Sequence, residues 1–466
     1  ARSSLIPSIS QFYWLLLKMN VDIIILAAGK GKRMQSNLPK VLQPLGNKPL
    51  LQHVIDTCSQ IKKAKLHIVV GGQNKLIKSS VKAPRSTNWV IQKKQLGTGH
   101  AVKQTLPSLR PNSCVVVLYG DGPLVRIKTL KKLISRTSRD NLSLLTFEAY
   151  NPKGSGRIIR QTNSKVIGIV EEKDASAKER KITEVNSGIM ATSSKNLKGW
   201  LPKLKNNNAA KEYYLTDIVS LCHNEEKRIT VINLGNSEEL LSANDRQELQ
   251  NLERIYQKEM AKSFIEKGVK FADVNRVDFR GEIVIGKNVF IDINVVLQGN
   301  VSLGNDCIIS AGAVIKDSKL NKKVKVEPYS VIENSQIGDN SSIGPFAHVG
   351  PGAELEQGVE VGNFVEIKRS KIGKKTKAKH LAYIGDGALE AEINVGAGTI
   401  FVNYDGKNKN KTKVGSNAFI GSNSSLVAPL IIGKNSMIGA GSVITKNVSA
   451  NKLALGRSKQ RNIKKR

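Results

Sequence analysis

The segment Leu26–Lys40 reads L-A-A-G-K-G-K-R-M-Q-S-N-L-P-K and follows the apolar run Val21–Ile25. A buried strand opening into a glycine-rich loop lets backbone N–H groups approach a phosphate chain with no side chain in the way. Lys30, Lys32, Arg33 and Lys40 bring positive charge to the same place. A glycine-rich loop alone also serves as a plain strand-to-helix turn, so the whole string carries the phosphate reading. Asp121, in Y-G-D-G-P-L, closes the apolar run Val115–Tyr119. A carboxylate at a strand end is ordinarily just solvated; downstream of a phosphate loop it is a candidate ligand for a hard cation. His380, in A-K-H-L-A-Y, lies beside Tyr383 and upstream of Asn403-Tyr404. A lone histidine is usually structural, and proton transfer is the competing role. No cysteine or serine has a paired base, which argues against nucleophilic catalysis by either residue type.

The elements that must position these groups change character along the chain. From Val21 to Leu241 short apolar strands alternate with helical stretches, with strands at Val21–Leu26, Leu66–Val70, Val115–Tyr119 and Leu142–Phe147. That alternation predicts a parallel sheet with helices on both faces and a ligand at the carboxyl ends of the strands, where the glycine-rich loop falls. Asn244–Lys267 reads as a charged connecting helix, with Leu249, Leu252, Ile255 and Tyr256 near helical spacing. Beyond about Arg280 an apolar residue followed by a small or turn-forming one recurs every six positions: Ile285, Ile291, Leu297, Leu303 and Ile309. The spacing returns at Ile337, Ile343, Val361, Val395, Ile420, Ile432 and Ile438. Such hexads predict a β-helix with three short strands per triangular coil, each apolar residue pointing into the prism. Phe401–Lys413, F-V-N-Y-D-G-K-N-K-N-K-T-K, is a polar insertion that should leave the coil, and loops thrown out of a solenoid often carry function. Leu389–Glu392, L-E-A-E, should distort one coil.

Composition bounds the partners. The 466 residues suffice for two or three domains, and 40% hydrophobic with 24% charged residues is globular rather than disordered. A formal charge of +35, from 73 basic and 38 acidic residues, suits anionic substrates and a solvated lysine-rich surface, with nucleic acid or an anionic membrane as further candidates. Cys58, Cys114, Cys222 and Cys307 are scattered and without a C-x-x-C pair, which argues against a disulfide framework or zinc site and for a reducing cytosol. No apolar run approaches the roughly 20 residues of a membrane span. Phe12–Leu17 is a short apolar patch behind Ser-rich residues and without a small-x-small cleavage site; it reads as a poor signal sequence or, the preferred reading with Met19 where the first strand begins, as part of a nonessential extension over 1–18.

The glycine-rich string resembles the signature of sugar-1-phosphate nucleotidylyltransferases. Joined to hexapeptide repeats, it is similar, from about Val21 to Arg457, to the bifunctional N-acetylglucosamine-1-phosphate uridylyltransferase/glucosamine-1-phosphate acetyltransferase family. The resemblance implies an α/β plus all-β chain. A Rossmann-like nucleotidylyltransferase domain would occupy 19–246, a helical linker 247–267, a left-handed parallel β-helix acetyltransferase domain 268–456 and a basic tail 457–466. It implies that Leu26, Ala27, Ala28 and Gly29 cradle the nucleotide and that Arg33 and Lys40 contact phosphates. Gln92, Gly97 and Thr98 of I-Q-K-K-Q-L-G-T-G-H would read uracil, and Tyr119 and Gly120 would lead to Asp121, a magnesium ligand partnered by Asn244. Gly156, Glu171 and Asn186 match the sugar pocket, with Asn244 beside the substrate as well. In the second half the resemblance makes His380 the base. Lys368, Tyr383 and Asn394 would hold the sugar phosphate, and Asn403 and Tyr404 would lie at the acceptor and thioester. Ala397, Ser422 and Ala440 would line the CoA channel, with Arg457 near its phosphates. Magnesium, UTP and acetyl-CoA, a homotrimer built through the β-helix, a cytoplasmic location, no specific nucleic acid and no membrane insertion complete the expectation.

Several residues depart from the family pattern. Gly350 stands where the family has the arginine of R-P-G, removing a phosphate contact of roughly 1.5–3 kcal/mol, for which Lys368 and Arg369 are the candidate replacements. Lys379 precedes His380, where a cation would favour the neutral imidazole. Lys32, Gly122 and Ser242-Ala243 also replace more usual residues. The competing readings are a single-function nucleotidylyltransferase with a structural β-helix, marked by absence of CoA binding, and a polyanion-binding protein without catalysis, marked by steep salt dependence.

Overall fold

The computed structural model describes residues 20–29, 31–162 and 164–465; the expectations placed on 1–18, on Met19, on Lys30 and on the side chain of Lys32 lie outside the described residues. The chain divides into two compact units, one ending at Ile255 and the other starting at Tyr256, with the helix Arg246–Ile265 contributing residues to both.

In the first unit the strand Val21–Ala27 is buried along its whole length because it lies mid-sheet, between Ala64–Val70 and Cys114–Tyr119, parallel to both. Its alternation feeds two cores. Ile23 and Ile25 pack with Leu51, Val54 and Leu66 on one face, Ile24 and Leu26 with Val69, Val115 and Trp200 on the other. Across the sheet the order is Arg228–Asn233, Asn141–Glu148, Glu184–Ser193, Cys114–Tyr119, Val21–Ala27, Ala64–Val70 and Asn88–Ile91. The sheet is therefore mixed, a correction to the all-parallel expectation. Glu184–Ser193 runs antiparallel to both its neighbours, and the hairpin Arg157–Arg160/Val166–Val170 extends from it. This insertion between the parallel strands supplies one wall of the site described below.

The second unit is a left-handed parallel β-helix. One wall of the prism is a sheet of eleven short strands, and the other two walls join into a sheet of seventeen. Every named hexad position is buried, from Ile285 to Ile438. Coils repeat with a 17- or 18-residue offset: Val331 pairs with His348, and His348 with Glu366. The offset rises to 25 where Ile400 pairs with Ser425, because the segment 403–411 leaves the prism. Phe401 does not belong to that loop, since it is fully buried in the strand Ile400–Val402, and the coil resumes at Thr412–Val414. The segment at Leu389 does not distort its coil either. Leu389 sits six residues before Val395, takes the inward position, and pairs with Ile372 on one side and Val414 on the other.

Candidate active sites

The first unit gathers its site at the carboxyl ends of the central strands. Leu26 and Ala27 end the strand, Ala28 is buried and Gly29 is exposed; the amide of Gln95 donates to the Ala28 carbonyl and holds the loop in place. Gly120 N donates to Leu26 O at 2.9 Å, which ties the Tyr119-Gly120-Asp121 turn to the loop. Lys40 Nζ pairs with Asp121 and donates to Asn244 Oδ1 at 2.8 Å. Three residues far apart in sequence thus meet, with an ammonium between a carboxylate and an amide oxygen. That donor pair already accommodates a cation, and its hard oxygens fit magnesium, which takes one or two protein ligands beside substrate phosphates. Asn244 is itself fixed, since its backbone N–H donates to Glu248 Oε2 at 2.6 Å. Arg33 lies on the solvent side, exposed, within the turn Lys32–Met34.

Gln92 is buried, and its Nε2 donates to Gly97 O at 3.1 Å and lies 3.0 Å from His100 Nδ1, so the segment 92–100 closes on itself. Gly97 has φ +107°, and a Cβ there would come within 2.6 Å of Tyr213 O, so the turn admits only glycine. Thr98 Oγ1 accepts from Leu215 N at 3.0 Å. On the inserted wall, Asn186 N donates to Gly156 O at 2.9 Å, and Gly156 faces the Glu171 carboxylate. Glu171 Oε1 accepts from Thr216 Oγ1 at 2.9 Å, while burial above all pushes its carboxyl up. Burial also raises the Tyr119 hydroxyl, with Glu171 and Asp121 adding to the effect. The sequence reading missed Asp217, whose carboxyl is pushed up to about 6 by burial and by the nearby charges of Glu171 and Asp174. Gln95 and Glu248 were also missed. No motif marks them, because their roles depend on which loops the sheet brings together.

In the second unit the predicted residues fall into two groups on the prism. His380 O accepts from Gly398 N at 3.4 Å, Asn423 N donates to Ala397 O at 2.7 Å, and Gly441 N donates to Ser422 O at 2.8 Å. Arg457 Nη1 donates to Ala440 O at 2.9 Å. His380, Ala397, Ser422, Ala440 and Arg457 therefore form one column along one corner, one coil apart. His380 Nδ1 lies 2.9 Å from Asn363 Oδ1. An amide oxygen only accepts, so Nδ1 donates to it, and in the neutral imidazole the Nε2 lone pair is then the one available to a proton.

On the adjoining wall, Arg369 and Asn403 come together around Asp386, with Tyr383 beside Asn403, while Lys368 meets Asp386 only through its backbone O, which accepts from Asp386 N at 3.1 Å. Asp386 takes Arg369 in a bidentate pair, 2.9 Å from both Nε and Nη2, and also accepts from the Asn403 amide. Arg369 is the main cause of the depressed Asp386 pKa. Tyr383 Oη lies 3.5 Å from Asn403 Nδ2, and Lys368 pairs with Glu366. Tyr404, next to Asn403, is exposed in the outgoing loop and donates its hydroxyl to Gly406 O at 2.7 Å. Asn394 is not brought to this group; it lies on the wall that carries the strand Lys377–His380, in register with Lys377 and Phe419. The cation expected beside His380 is compensated: Lys379 is paired with Glu360, which also takes Lys377 at 3.3 Å. Gly350 has φ +122°, and a Cβ there would lie 1.8 Å from Glu333 O, so the backbone here is built for glycine. Asn363 and Glu360 were missed because each acts from one coil away.

Among the described residues no group of three or more histidine, cysteine or acidic side chains is placed to hold a metal, and no helix is long and apolar enough to cross a membrane. All four cysteines are free and buried.

Three family models match parts of the chain: the MobA-like NTP transferase domain at residues 23–159, the GMPPB C-terminal domain at 279–377, and the bacterial transferase hexapeptide (six repeats) at 411–446. Among curated proteins the chain is 48% identical over 443 residues to the "Bifunctional protein GlmU" of Cellvibrio japonicus, covering 95% of this chain and 98% of that one. It is 47% identical over 445 residues to the protein of that name from Idiomarina loihiensis, covering 96% and 97%. The corresponding Legionella pneumophila protein is 46% identical over 450 residues, covering 96% and 97%.

Proposed function

The chain belongs to the family of bifunctional GlmU proteins, and from that premise we propose how its two activities are divided along the chain and which residues carry each. It is a glucosamine-1-phosphate N-acetyltransferase and an N-acetylglucosamine-1-phosphate uridylyltransferase, making UDP-N-acetylglucosamine for cell-wall and lipopolysaccharide synthesis. Residues 19–246 carry uridylyl transfer, 268–456 acetyl transfer, and 247–267 link them.

In the first site the sugar phosphate oxygen attacks the α-phosphorus of UTP and pyrophosphate leaves, so positioning and charge neutralisation dominate. The backbone from Leu26 to Gly29 and the cations of Arg33 and Lys40 hold the triphosphate. Gln92, Gly97 and Thr98 face the base. Tyr119, Gly120, Gly156, Glu171 and Asn186 bound the sugar. Asp121 and Asn244 would hold magnesium, which would supply further neutralisation of phosphate charge. In the second site the 2-amino nitrogen of glucosamine-1-phosphate attacks the thioester carbonyl; the new C–N bond forms as C–S breaks. His380 Nε2 takes the ammonium proton, and the departing CoA thiolate takes one in turn. Lys368, Tyr383 and Asn394 hold the sugar phosphate, Asn403 and Tyr404 the reacting groups, and Ala397, Ser422, Ala440 and Arg457 the CoA arm.

Two features support a homotrimer through the β-helix. Asn394 stands on a different wall from Lys368 and Tyr383, so a sugar held by all three needs a second copy. Tyr329, Phe346 and Phe364 also form a half-exposed stacked ladder beside His380, with ring centroids 5.4 and 5.6 Å apart. Free buried cysteines and the substrates named support a cytoplasmic location.

The observation that carries the acetyl-transfer reading is the His380–Asn363 bond, which leaves Nε2 free on the corner of small residues. The test is CoA thiol release from acetyl-CoA with and without glucosamine-1-phosphate, beside pyrophosphate release from UTP with N-acetylglucosamine-1-phosphate. His380→Ala should abolish the first and spare the second, and Asp121→Ala the reverse; loss of both from either change, in a folded protein, defeats the two-site division.

A further inference from the structure

The β-helix wall that carries Lys368 and Tyr383 also carries a histidine, His348, on its outer face. Its strand neighbour Val349 is fully buried in the prism, so the His348 side chain points outward. His348 stands across from Glu366, and Glu366 across from Tyr383 one coil further on. Gly350 N donates to Ile367 O at 2.8 Å, which continues that register and sets Gly350 across from Lys368. The position that lacks the family's arginine therefore lies between Lys368, one coil on, and His348, two residues back. The His348 ring is held from both sides. Its Nε2 lies 3.4 Å from Glu333 Oε1 in one neighbouring coil, and its Nδ1 lies 3.4 Å from Glu366 Oε1 in the other. A neutral imidazole offers one N–H and one lone pair, so one of the two carboxylates would face a lone pair, whereas an imidazolium donates to both. Glu366 Oε1 also takes Lys368 Nζ. Two cationic donors thus converge on one anionic oxygen.

We propose that His348 is a further ligand of the phosphate of glucosamine-1-phosphate, sharing with Lys368 the work of the absent arginine. The Glu366 carboxylate marks, in the free protein, the point where both donors meet. The inference rests on the reading of Lys368 as a contact of the sugar phosphate and adds the second cation of that subsite. A phosphate oxygen that replaces Glu366 Oε1 exchanges charge-assisted hydrogen bonds for bonds of the same kind, so neither cation loses its partner. Glu366 is partly exposed, and water takes over its released oxygen. Glu333 stays on Nε2 and keeps the ring turned, with the Nδ1 proton toward the phosphate. Arg369 does not compete for this role, because both oxygens of Asp386 already hold its guanidinium. No motif marks His348, since its place beside Lys368 is created by the coil offset.

The test is the KM for glucosamine-1-phosphate in the thiol-release assay, at saturating acetyl-CoA, in the full-length enzyme and its variants. His348→Gln keeps a donor and removes the charge. It should raise this KM about 10-fold or more, the loss of a charge-assisted bond to phosphate, while the KM for acetyl-CoA stays within about twofold. His348→Arg returns a fixed charge to the position and should bring the KM to within about threefold of the parent. Lys368→Ala reports on the reading beneath the proposal and should raise the same KM. If His348→Gln does not fold, His348→Ala stands in for it, with the melting temperature and uridylyl transfer as the measures of folding. A parent-like KM in a folded His348→Gln or His348→Ala enzyme, beside a raised KM in Lys368→Ala, overturns the proposal and leaves the sugar-phosphate reading intact. A KM raised as much by His348→Arg as by His348→Gln also overturns it, since a residue that serves packing alone is not rescued by charge. A parent-like KM in Lys368→Ala overturns the sugar-phosphate reading and the proposal with it.

Discussion

Restoring the family's arginine at position 350 should harm this enzyme rather than improve it. The attraction of Gly350→Arg is a charge-assisted hydrogen bond to the sugar phosphate, a gain of about 1.5–3 kcal/mol realised only with substrate bound. The opposing terms act in the free protein. Gly350 has φ +122°, outside the range of ordinary side-chain-bearing residues, and that alone costs about 1–3 kcal/mol. The arginine Cβ would fall 1.8 Å from Glu333 O and 2.8 Å from Ser335 Oγ. Rotating the side chain does not relieve a Cβ–backbone overlap. The backbone cannot yield freely, because Gly350 N is bonded to Ile367 O at 2.8 Å and Glu333 lies in the strand Val331–Glu333. Strain and overlap together should reach about 3 kcal/mol or more, which for a unit of this size lowers the melting temperature by roughly 6–12 °C. The phosphate contact is then not recovered, since a displaced backbone no longer aims the guanidinium. Thermal unfolding followed by calorimetry, paired with the KM for glucosamine-1-phosphate in the thiol-release assay, decides the matter. An unchanged melting temperature with a tenfold lower KM would show that the backbone at 350 is not constrained as argued.

With no arginine at 350, Lys368 and Arg369 are not equivalent substitutes. The Lys368–Glu366 pair is partly exposed and holds Lys368 by no more than about 1 kcal/mol, so Lys368 can turn to a phosphate and Lys368→Ala should raise the KM for glucosamine-1-phosphate about 10-fold or more. Arg369 is committed to Asp386 by two bonds, so Arg369→Ala should chiefly lower the melting temperature and shift the Asn403 loop, read as a change in protease sensitivity near 403–411. Asn363 is a positioning residue for His380: Asn363→Ala should lower kcat for acetyl transfer about 10-fold or more with little change in the KM for acetyl-CoA, and Asn363→Asp, which still accepts from Nδ1, should restore most of it. In the first unit burial pushes the Asp22 carboxyl up, but hydrogen bonds from His67 and Ser113 and the Arg110 guanidinium more than offset this and hold it below its ordinary value. A carboxyl depressed on folding stabilises above its unfolded pKa and loses that contribution as pH falls through the folded one. Asp22→Asn should therefore melt lower than the parent at pH 7, the gap narrowing as pH falls below about 4; a gap independent of pH refutes the linkage.

What the sequence made legible follows from the range of the interactions involved. The hexads are local, and each buried residue from Ile285 to Ile438 needs only its own neighbours to be recognised. The strand and loop at Val21–Gly29 are equally local. The antiparallel strand Glu184–Ser193 was not legible, because its place beside Cys114–Tyr119 is decided by a sheet assembled from distant segments. The L-E-A-E segment misled for a different reason: attention to its charged residues hid Leu389, whose spacing of six to Val395 is what the prism reads. In the sites, Lys40, Asp121 and Asn244 are each visible in a motif, but the ammonium between the two oxygens is a consequence of folding. Glu360 beside Lys379, and Asn363 beside His380, act from the coil below, and a one-dimensional reading weighs a residue against its sequence neighbours instead.

The same logic explains why departures from local rules carry the most information in a repeat fold. Each coil of the prism could solve its corner in the same way, so a run of coils that solves it differently marks an outside demand. The run begins at Tyr329, ends at Leu381, and gives way to Gly398 in the coil after His380. Folding alone would not place that border at the base, because the coils on both sides share the same inward apolar residues and the same backbone bonds. A border set by chemistry would fall there. On one side of the border the corner carries Tyr329, Phe346, Phe364 and Leu381; on the other it carries Gly398, Asn423 and Gly441. The corner is thus uniform in backbone and divided in side chains.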